Sequence, residues 1–171
     1  PGHATAALSV FPELSCTGRK HKLTDKWGVY KDVYCAGKEK VFDFLQDVLA
    51  EACELFPDDY IHIGCDECPK DRWGECAKCQ ARIKHNNLKD EEELQTYFAE
   101  RIADFVRKKG KKSLAWDEIL EGGAPPEVHV MAWRNMSEGI KATQQGHNVV
   151  MCPATHCYFN YSQEEDRDRK D

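Results

Sequence analysis

The chain has 171 residues, 41% of them hydrophobic and 32% charged, which is the composition of a globular domain with a core of its own. Its 24 basic and 30 acidic residues give a net charge of −6, which argues against a nucleic-acid binder, because such proteins usually carry a basic excess. The basic run "RKKGKK" is interpreted as the solvated end of a helix. No apolar run approaches the roughly 20 residues that cross a bilayer, and "PGHATAAL" has no features of a signal peptide. We therefore expect a segment that starts inside a longer protein and has no membrane span.

The first half of the chain predicts one long helix and one short strand. Apolar residues recur at spacings of four and three over 39–56, and Pro57 ends the pattern. A strand over 60–65 then leads directly into two adjacent acids, Asp66 and Glu67. The buried face of the helix is predicted to consist of Val41, Leu45, Val48, Ala52 and Leu55.

Two more helices are predicted after the loop "CPKDRWGE". The first covers about 76–84, and the second, over 91–109, has the clearer signals. Asp90 is its predicted N-cap, Glu93 completes a capping box, and Gly110 ends the helix. Its buried face is predicted to consist of Leu94, Phe98, Ile102 and Phe105.

The second half alternates strands with connections. Strands are predicted over 113–116, 128–132 and 148–152, separated by the loop "EGGAPPE" and the helix "SEGIKATQQ". This alternation indicates an α/β fold with a parallel sheet and outer helices. A complete (β/α)8 TIM barrel needs roughly 250 residues, so we expect part of such a barrel over 1–163. The remaining residues, 164–171, are predicted to be a charged, disordered tail.

Polar and aromatic residues follow the carboxyl ends of these strands. In a parallel barrel that edge carries the active site. Strict alternation along a strand would direct Asp66 and Glu67 to opposite sides, so we expect the backbone to bend near Gly64. The residues at this edge are Asp66, Glu67, Trp116, Asp117, Glu118, Trp133, Arg134, Tyr158 and Asn160.

Two carboxylates among tryptophan and tyrosine side chains indicate sugar chemistry. Aromatic faces stack on pyranose rings, and a carboxylic acid can protonate a glycosidic oxygen. A solvated surface pair is the competing interpretation of "DE", but its position after an apolar strand weakens that interpretation.

Several ordered motifs resemble those of the family 20 glycoside hydrolases, the β-N-acetylhexosaminidases. "HIGCDE" is similar to the family's H-x-G-G-D-E signature, and "PGHATAAL" is similar to its P-G-H segment. "WDEIL", "VMAW" and "YFNYSQ" occur in the family's order at similar spacings. The resemblance covers roughly residues 1–163 and implies exo-acting, retaining hydrolysis of terminal β-linked N-acetylglucosamine or N-acetylgalactosamine.

The family resemblance implies a substrate-assisted mechanism, in which the 2-acetamido oxygen of the sugar is the nucleophile. Glu67 would be the general acid and later the base, and Asp66 would orient the acetamido group. His3 would lie near Glu67, and Tyr158 would hydrogen-bond to the acetamido oxygen. The substrate-binding residues implied in addition are Trp116, Trp133 and Asn160, the last standing where many members have Asp.

The resemblance has further consequences and some departures. It implies glycan substrates, no cofactor and an extracytoplasmic (periplasmic or secreted) full-length protein. His62 is expected to make a buried hydrogen bond that supports the strand. Cys65 replaces the second glycine of the signature, so a larger side chain must fit beside the acids. Some family site residues would lie outside the chain, so the fragment alone is predicted to be inactive.

Nine cysteines leave other possibilities open. Cys68, Cys76 and Cys79 have a spacing that suits structural zinc, and a disulfide or free buried thiols are the alternatives. A zinc-stabilised binding module without catalysis is therefore the alternative function. Cys16 and Cys35 flank a long loop and are predicted to lie close enough to form a disulfide.

Overall fold

The computed structural model describes residues 1–20, 22–23 and 25–160, and these contain one four-stranded sheet. The strands are parallel and lie side by side in chain order, which confirms the predicted α/β class. Tyr60 pairs with Lys112, Leu114 with His129, and Val130 with Val149. The strands are β1 Tyr60–His62, β2 Lys112–Trp116, β3 His129–Ala132 and β4 Val149–Met151.

Helices precede the sheet and connect its strands. Two short 3-10 turns, Pro12–Leu14 and Asp117–Glu121, supplement them. The predicted long helices and the absence of a full helix between β2 and β3 are confirmed. Three short helices were not predicted: one near the start of the chain, one within the loop after β1 and one after β4. In chain order the helices are α1 Thr5–Val10, α2 Glu39–Leu55, α3 Asp71–Glu75, α4 Ala77–His85, α5 Glu91–Lys108, α6 Met136–Gln144 and α7 Ala154–Cys157.

The N-cap residue Asp90 sets the start of α5. The Asp90 carboxylate accepts hydrogen bonds from the backbone N–H groups of Glu92 and Glu93, both at 3.1 Å, as an N-cap should. The reciprocal half of the predicted capping box is wrong by one residue, because Glu93 accepts from the N–H of Lys89. The cap therefore satisfies three backbone donors at the exposed start of the helix.

The sheet packs against α5 and α6 through small side chains. Ala115 and Val130 of the sheet are fully buried, as are Ala99 and Ala103 of α5 to within 1%. Small residues allow the helix to lie close to the strands, and they form one of two apolar clusters. This packing fixes the positions of the strand ends, where the candidate site lies.

The second apolar cluster joins α1, α2, α4 and α5 around Trp73, which is fully buried. Phe42 and Phe98 contact each other here, with ring centroids 4.8 Å apart. The predicted burial of α2 is wrong in its second half, where Val48 and Leu55 are 49% and 67% exposed. The reason is that the beginning of α2, rather than its whole length, packs into this cluster.

The predicted buried face of α5 is also partly wrong. Leu94, Phe98 and Ile102 are buried, but Phe105 is only partly so, and Val106 is buried in its place. The ring of Phe105 lies under the ammonium group of Lys109 instead, 5.6 Å away. No described helix is long and apolar enough to cross a membrane. The predicted tail, 164–171, lies outside the described residues.

Candidate active site

The turn after β1 brings two adjacent acids to one side of the chain. The main chain still pairs with β2 through the bonds from Ile63 N–H to Leu114 O and from Trp116 N–H to Gly64 O, both 2.8 Å. It then turns sharply, with φ values of +77° at Gly64, +84° at Cys65 and +42° at Glu67. The predicted bend is confirmed, although the strand is shorter than the predicted 60–65.

Positive φ values at Cys65 and Glu67 are costly for residues with a side chain, by roughly 1–3 kcal/mol each. The surrounding structure holds them. Buried Gln95 of α5 donates a 2.8 Å hydrogen bond from its side-chain amide to the Cys65 carbonyl. Gly2 lies so close that a Cβ there would be 2.8 Å from the carbonyl oxygen of Asp66. The glycine of the "PGH" segment is therefore required by backbone contact with the turn.

His3 lies between the two carboxylates. Its Nε2 is 3.1 Å from Asp66 Oδ2 and 3.3 Å from Glu67 Oε2. All three side chains are partly exposed, at 46% for His3, 27% for Asp66 and 32% for Glu67. The three residues predicted to be catalytic thus form one cluster that is open to a substrate. A single imidazole N–H can donate to either acid, so it links their positions.

Glu118, at the end of β2, links this cluster to the aromatic residues. Its Oε1 is 3.4 Å from the backbone N–H of Glu67, and its Oε2 accepts a 3.0 Å hydrogen bond from Trp133 Nε1–H. Burial raises the pKa of the Glu118 carboxyl to about 7, although the bond from Trp133 opposes the shift. Sequence analysis placed Glu118 at the right edge but gave it no role. The signal in the sequence that could have identified Glu118 as a site residue was its position just after a strand.

The predicted aromatic residues lie together beside Glu118. The rings of Trp116 and Trp133 meet nearly edge to face with centroids 6.5 Å apart, and Tyr158 stacks on Trp133 at 6.3 Å. His62 contacts Trp116 at 4.7 Å. Trp116, Trp133 and Tyr158 thus form a continuous aromatic surface, while Asn160 is exposed at the end of the described residues.

The expectation of a buried His62 is wrong for this chain, because its side chain is exposed on the open face of the sheet. Its Nδ1 accepts a hydrogen bond from the backbone N–H of Gly64 at 3.0 Å, so the ring supports the turn rather than the strand. Partial desolvation lowers the pKa of His62, and the charge of Asp66 acts in the opposite direction. A neutral imidazole is the form that accepts this bond.

One exposed aromatic residue near the acids was not assigned from sequence. Trp27 is 94% exposed and lines a shallow cleft together with His3, Tyr30 and Glu67. An indole with both faces open beside a carboxylate offers an apolar surface to a ring of a ligand. It belongs to a loop rather than to a strand end, so strand-based reasoning could not find it.

An ion pair beneath the aromatic surface holds β2 and β3 together. The carboxylate of Asp117 is fully buried, and its Oδ2 lies 3.3 Å from Nε of Arg134. Arg134 also contacts Glu121 at 2.6 Å and Glu138 at 3.7 Å. The pair joins residues that directly follow Trp116 and Trp133, so it fixes the positions of both indoles.

The predicted cysteine cluster is partly wrong. Cys68 is buried in the apolar core next to Glu67 and does not join Cys76 and Cys79. Cys16 and Cys35 take its place, and the four sulfur atoms all lie within 4.8 Å of one another. The predicted proximity of Cys16 and Cys35 therefore holds, but the two belong to a group of four cysteines, none of which is in a disulfide. Contacts with the Cys16 and Cys79 thiols lower the pKa of Cys35, and the backbone N–H of Gly37 acts in the same direction.

Comparisons with known proteins agree with this arrangement. The model of the glycosyl hydrolase family 20 catalytic domain matches residues 1–171. A β-hexosaminidase of Porphyromonas gingivalis is 52% identical over 155 residues, covering 91% of this chain and 20% of the relative. The chain thus spans about a fifth of the length of that relative.

Solved structures show the same fold. A β-N-acetylhexosaminidase from Bacteroides fragilis superposes with a TM-score of 0.77 at 35% identity, covering 88% of this chain and 30% of that one. An exo-β-N-acetylglucosaminidase from Vibrio harveyi, in complex with N-acetylglucosamine, has a TM-score of 0.76 at 29% identity, with coverages of 90% and 24%. The parallel sheet with its outer helices is part of a TIM barrel. Fold, strand-end acids and family match together establish that this chain belongs to the catalytic domain of glycosyl hydrolase family 20.

Proposed function

We propose that the protein carrying this chain removes terminal β-linked N-acetylhexosamine residues from glycans by a retaining, substrate-assisted reaction. The observation that carries the proposal is the paired placement of Asp66 and Glu67 around His3, beside a surface of three aromatic rings. The V. harveyi relative, an exo-acting enzyme solved with N-acetylglucosamine, supports the same substrate class.

In the proposed reaction, Glu67 protonates the glycosidic oxygen while the acetamido oxygen of the sugar attacks its anomeric carbon. An oxazolinium-like intermediate forms and the leaving alcohol departs. Glu67, now a carboxylate, takes a proton from the water that opens the intermediate, so both steps use the same group. Asp66 orients the acetamido nitrogen and stabilises the positive charge that develops there. His3 contacts both acids and holds them in the arrangement that these steps need.

The aromatic residues would supply the pocket for the acetamido group. Trp116 and Trp133 meet almost at a right angle, at 72°, and so form a corner rather than a flat wall. The phenol of Tyr158, stacked on Trp133, would donate a hydrogen bond to the acetamido oxygen. Glu118 accepts a hydrogen bond from the indole N–H of Trp133 and contacts the backbone N–H of Glu67, so it links the pocket to the turn that carries the acid.

The alternative function, a non-catalytic module stabilised by zinc, is not favoured. The chain belongs to a hydrolase family, and its two acids lie together with His3 after β1, where they are partly exposed. A metal site elsewhere in the chain is compatible with an enzyme and is considered separately below.

The test is Glu67→Gln in the full-length protein, assayed with two N-acetyl-β-glucosaminides that differ in leaving group. Loss of the general acid should strongly reduce turnover of the substrate with the poor leaving group and affect the activated aryl substrate much less. The matched control is Glu54→Gln, an exposed acid on α2, which should leave both rates unchanged.

Equal losses with the two substrates would contradict an acid role for Glu67. The substrate-assisted mechanism has its own test, because it needs the 2-acetamido group. Hydrolysis of plain β-glucosides as fast as of N-acetylated substrates would refute it. Asp66→Ala and Tyr158→Ala should each reduce activity on N-acetyl substrates far more than they lower the unfolding temperature.

A further inference from the structure

A cluster of four cysteines lies apart from the carboxylates. Cys16 follows the first 3-10 turn, Cys35 precedes α2, Cys76 is the N-cap of α4, and Cys79 lies in its first turn. Three separate segments of the chain therefore bring their thiols to one point. Cys35 and Cys79 are fully buried, whereas Cys16 and Cys76 are partly exposed. The proposed hydrolysis makes no use of any of them.

Three of the six sulfur–sulfur distances have the length of an edge of a zinc-centred tetrahedron, and all six are within 4.8 Å. The Sγ atoms of Cys16 and Cys79 are 3.8 Å apart, those of Cys35 and Cys76 are 3.8 Å apart, and those of Cys35 and Cys79 are 3.7 Å apart. Four sulfurs at the Zn–S distance of about 2.3 Å would be separated by about 3.8 Å along each edge. We propose that Cys16, Cys35, Cys76 and Cys79 bind one structural Zn²⁺ ion.

Two disulfides are the competing arrangement, and the geometry does not favour them. A disulfide needs an S–S distance of about 2.05 Å, and it would select one partner for each sulfur. Cys35 is instead equally close to Cys76 and Cys79, and Cys79 is equally close to Cys16 and Cys35. A single central ion accounts for this equal spacing, whereas a pairwise bond does not.

Close backbone contact brings two of the segments together at these positions. Cys76 and Cys79 occupy the N-terminal end of α4. The backbone at Gly37 lies against that of α4, so that a Cβ on Gly37 would be 2.5 Å from the backbone nitrogen of Cys79. Glycine is thus required where the segment of Cys35 approaches α4. A surface cleft lined by Cys16, Arg72 and Cys76 gives an ion a path to the site.

The ion would serve the architecture around the acids. The segment between Cys16 and Cys35 includes Trp27, and the helices after β1 directly follow the turn that carries Glu67. A tetrahedral site closed by four protein ligands leaves no position for water or substrate, so its role is structural. It would fix the loop of Trp27 and α4 to each other at the edge of the second apolar cluster, which contains Cys35 and Cys79.

The test is metal analysis of the full-length protein, purified without added metal or chelator. About one zinc ion per chain is expected, together with release of that ion when four thiols are modified by a mercurial. Replacement by Co²⁺ should give the intense visible absorption of tetrahedral thiolate coordination. Cys35→Ser and Cys79→Ser should each greatly reduce zinc content, whereas Cys53→Ser, at a partly exposed cysteine on α2, should keep it.

The measurements on unmodified protein keep the proposal testable even if a serine variant fails to fold. Peptide mapping of the unreduced protein that finds disulfides among these four cysteines would overturn the proposal. So would four freely reactive thiols without metal, or iron in place of zinc. Removal of zinc by a chelator should lower the unfolding temperature and readdition should restore it; an unchanged temperature after verified removal would refute the structural role.

Discussion

Arg134 is predicted to be indispensable to the stability of the strand ends, and Arg134→Met tests this. The substitution keeps most of the apolar length of the side chain but leaves Asp117, which is fully buried, without its cation. Removing one partner of a buried ion pair costs about 3–5 kcal/mol, because the other charge remains desolvated. Arg134 is itself 29% exposed, so water can partly replace it, and the lower end of about 3 kcal/mol is expected.

The loss can be measured as a fall in the thermal unfolding midpoint of the protein. For a domain of this size, about 3 kcal/mol corresponds to roughly 6–12 °C. The matched control is Arg107→Met, which removes an arginine whose partner Asp104 lies on the surface, and it should change the midpoint little. Activity should fall as well, because the pair positions the residues after Trp116 and Trp133.

A double substitution separates the charge effect from packing. Neither Asp117 oxygen accepts an aligned hydrogen bond from the described residues, so Asp117→Asn removes the charge without breaking one. In the Arg134→Met background, Asp117→Asn should therefore restore much of the lost stability. The reasoning would be refuted if Arg134→Met lowered the midpoint no more than Arg107→Met does, or if the double variant were no more stable than the single one.

Two further predictions concern the turn and its neighbour. Cys65→Gly should be more stable than Cys65→Ala, which reverses the usual order in a core. The reason is that only glycine relieves the cost of a φ of +84°, about 1–2 kcal/mol. Thermal unfolding of both variants tests this, and a more stable alanine variant would contradict it. Glu118 has a folded-state pKa of about 7 against an ordinary value of 4.5, so its contribution to stability is present below about pH 4.5 and is lost as the pH rises through about 7. The free energy of unfolding of Glu118→Gln, relative to that of the unmodified protein, should thus be higher at pH 8 than at pH 4. If this difference between the two proteins does not vary with pH, the raised pKa is wrong.

The apolar periodicity, the caps and the strand-end residues made much of this protein predictable from sequence. The spacing of apolar residues predicted α2 and α5 almost to the residue, and Gly110, with a φ of +79°, marked the end of α5. Alternation of strands and helices predicted the parallel sheet. Signals of this kind depend on the residues within a few positions, so they can be recognised without knowing the fold.

The sequence by itself also determined that Asp66 and Glu67 follow the first strand, and the ordered motifs identified the family. Only the tertiary structure decided which distant residues complete the site: Glu118 reaches the turn from 51 positions along the chain, and Gln95 from 30. It likewise replaced Cys68 by Cys16 and Cys35 in the cysteine cluster, where Cys16 meets Cys79 across 63 positions. The physical reason is that close packing of helices and strands sets such contacts, and spacing along the chain holds no record of which side chains that packing brings together.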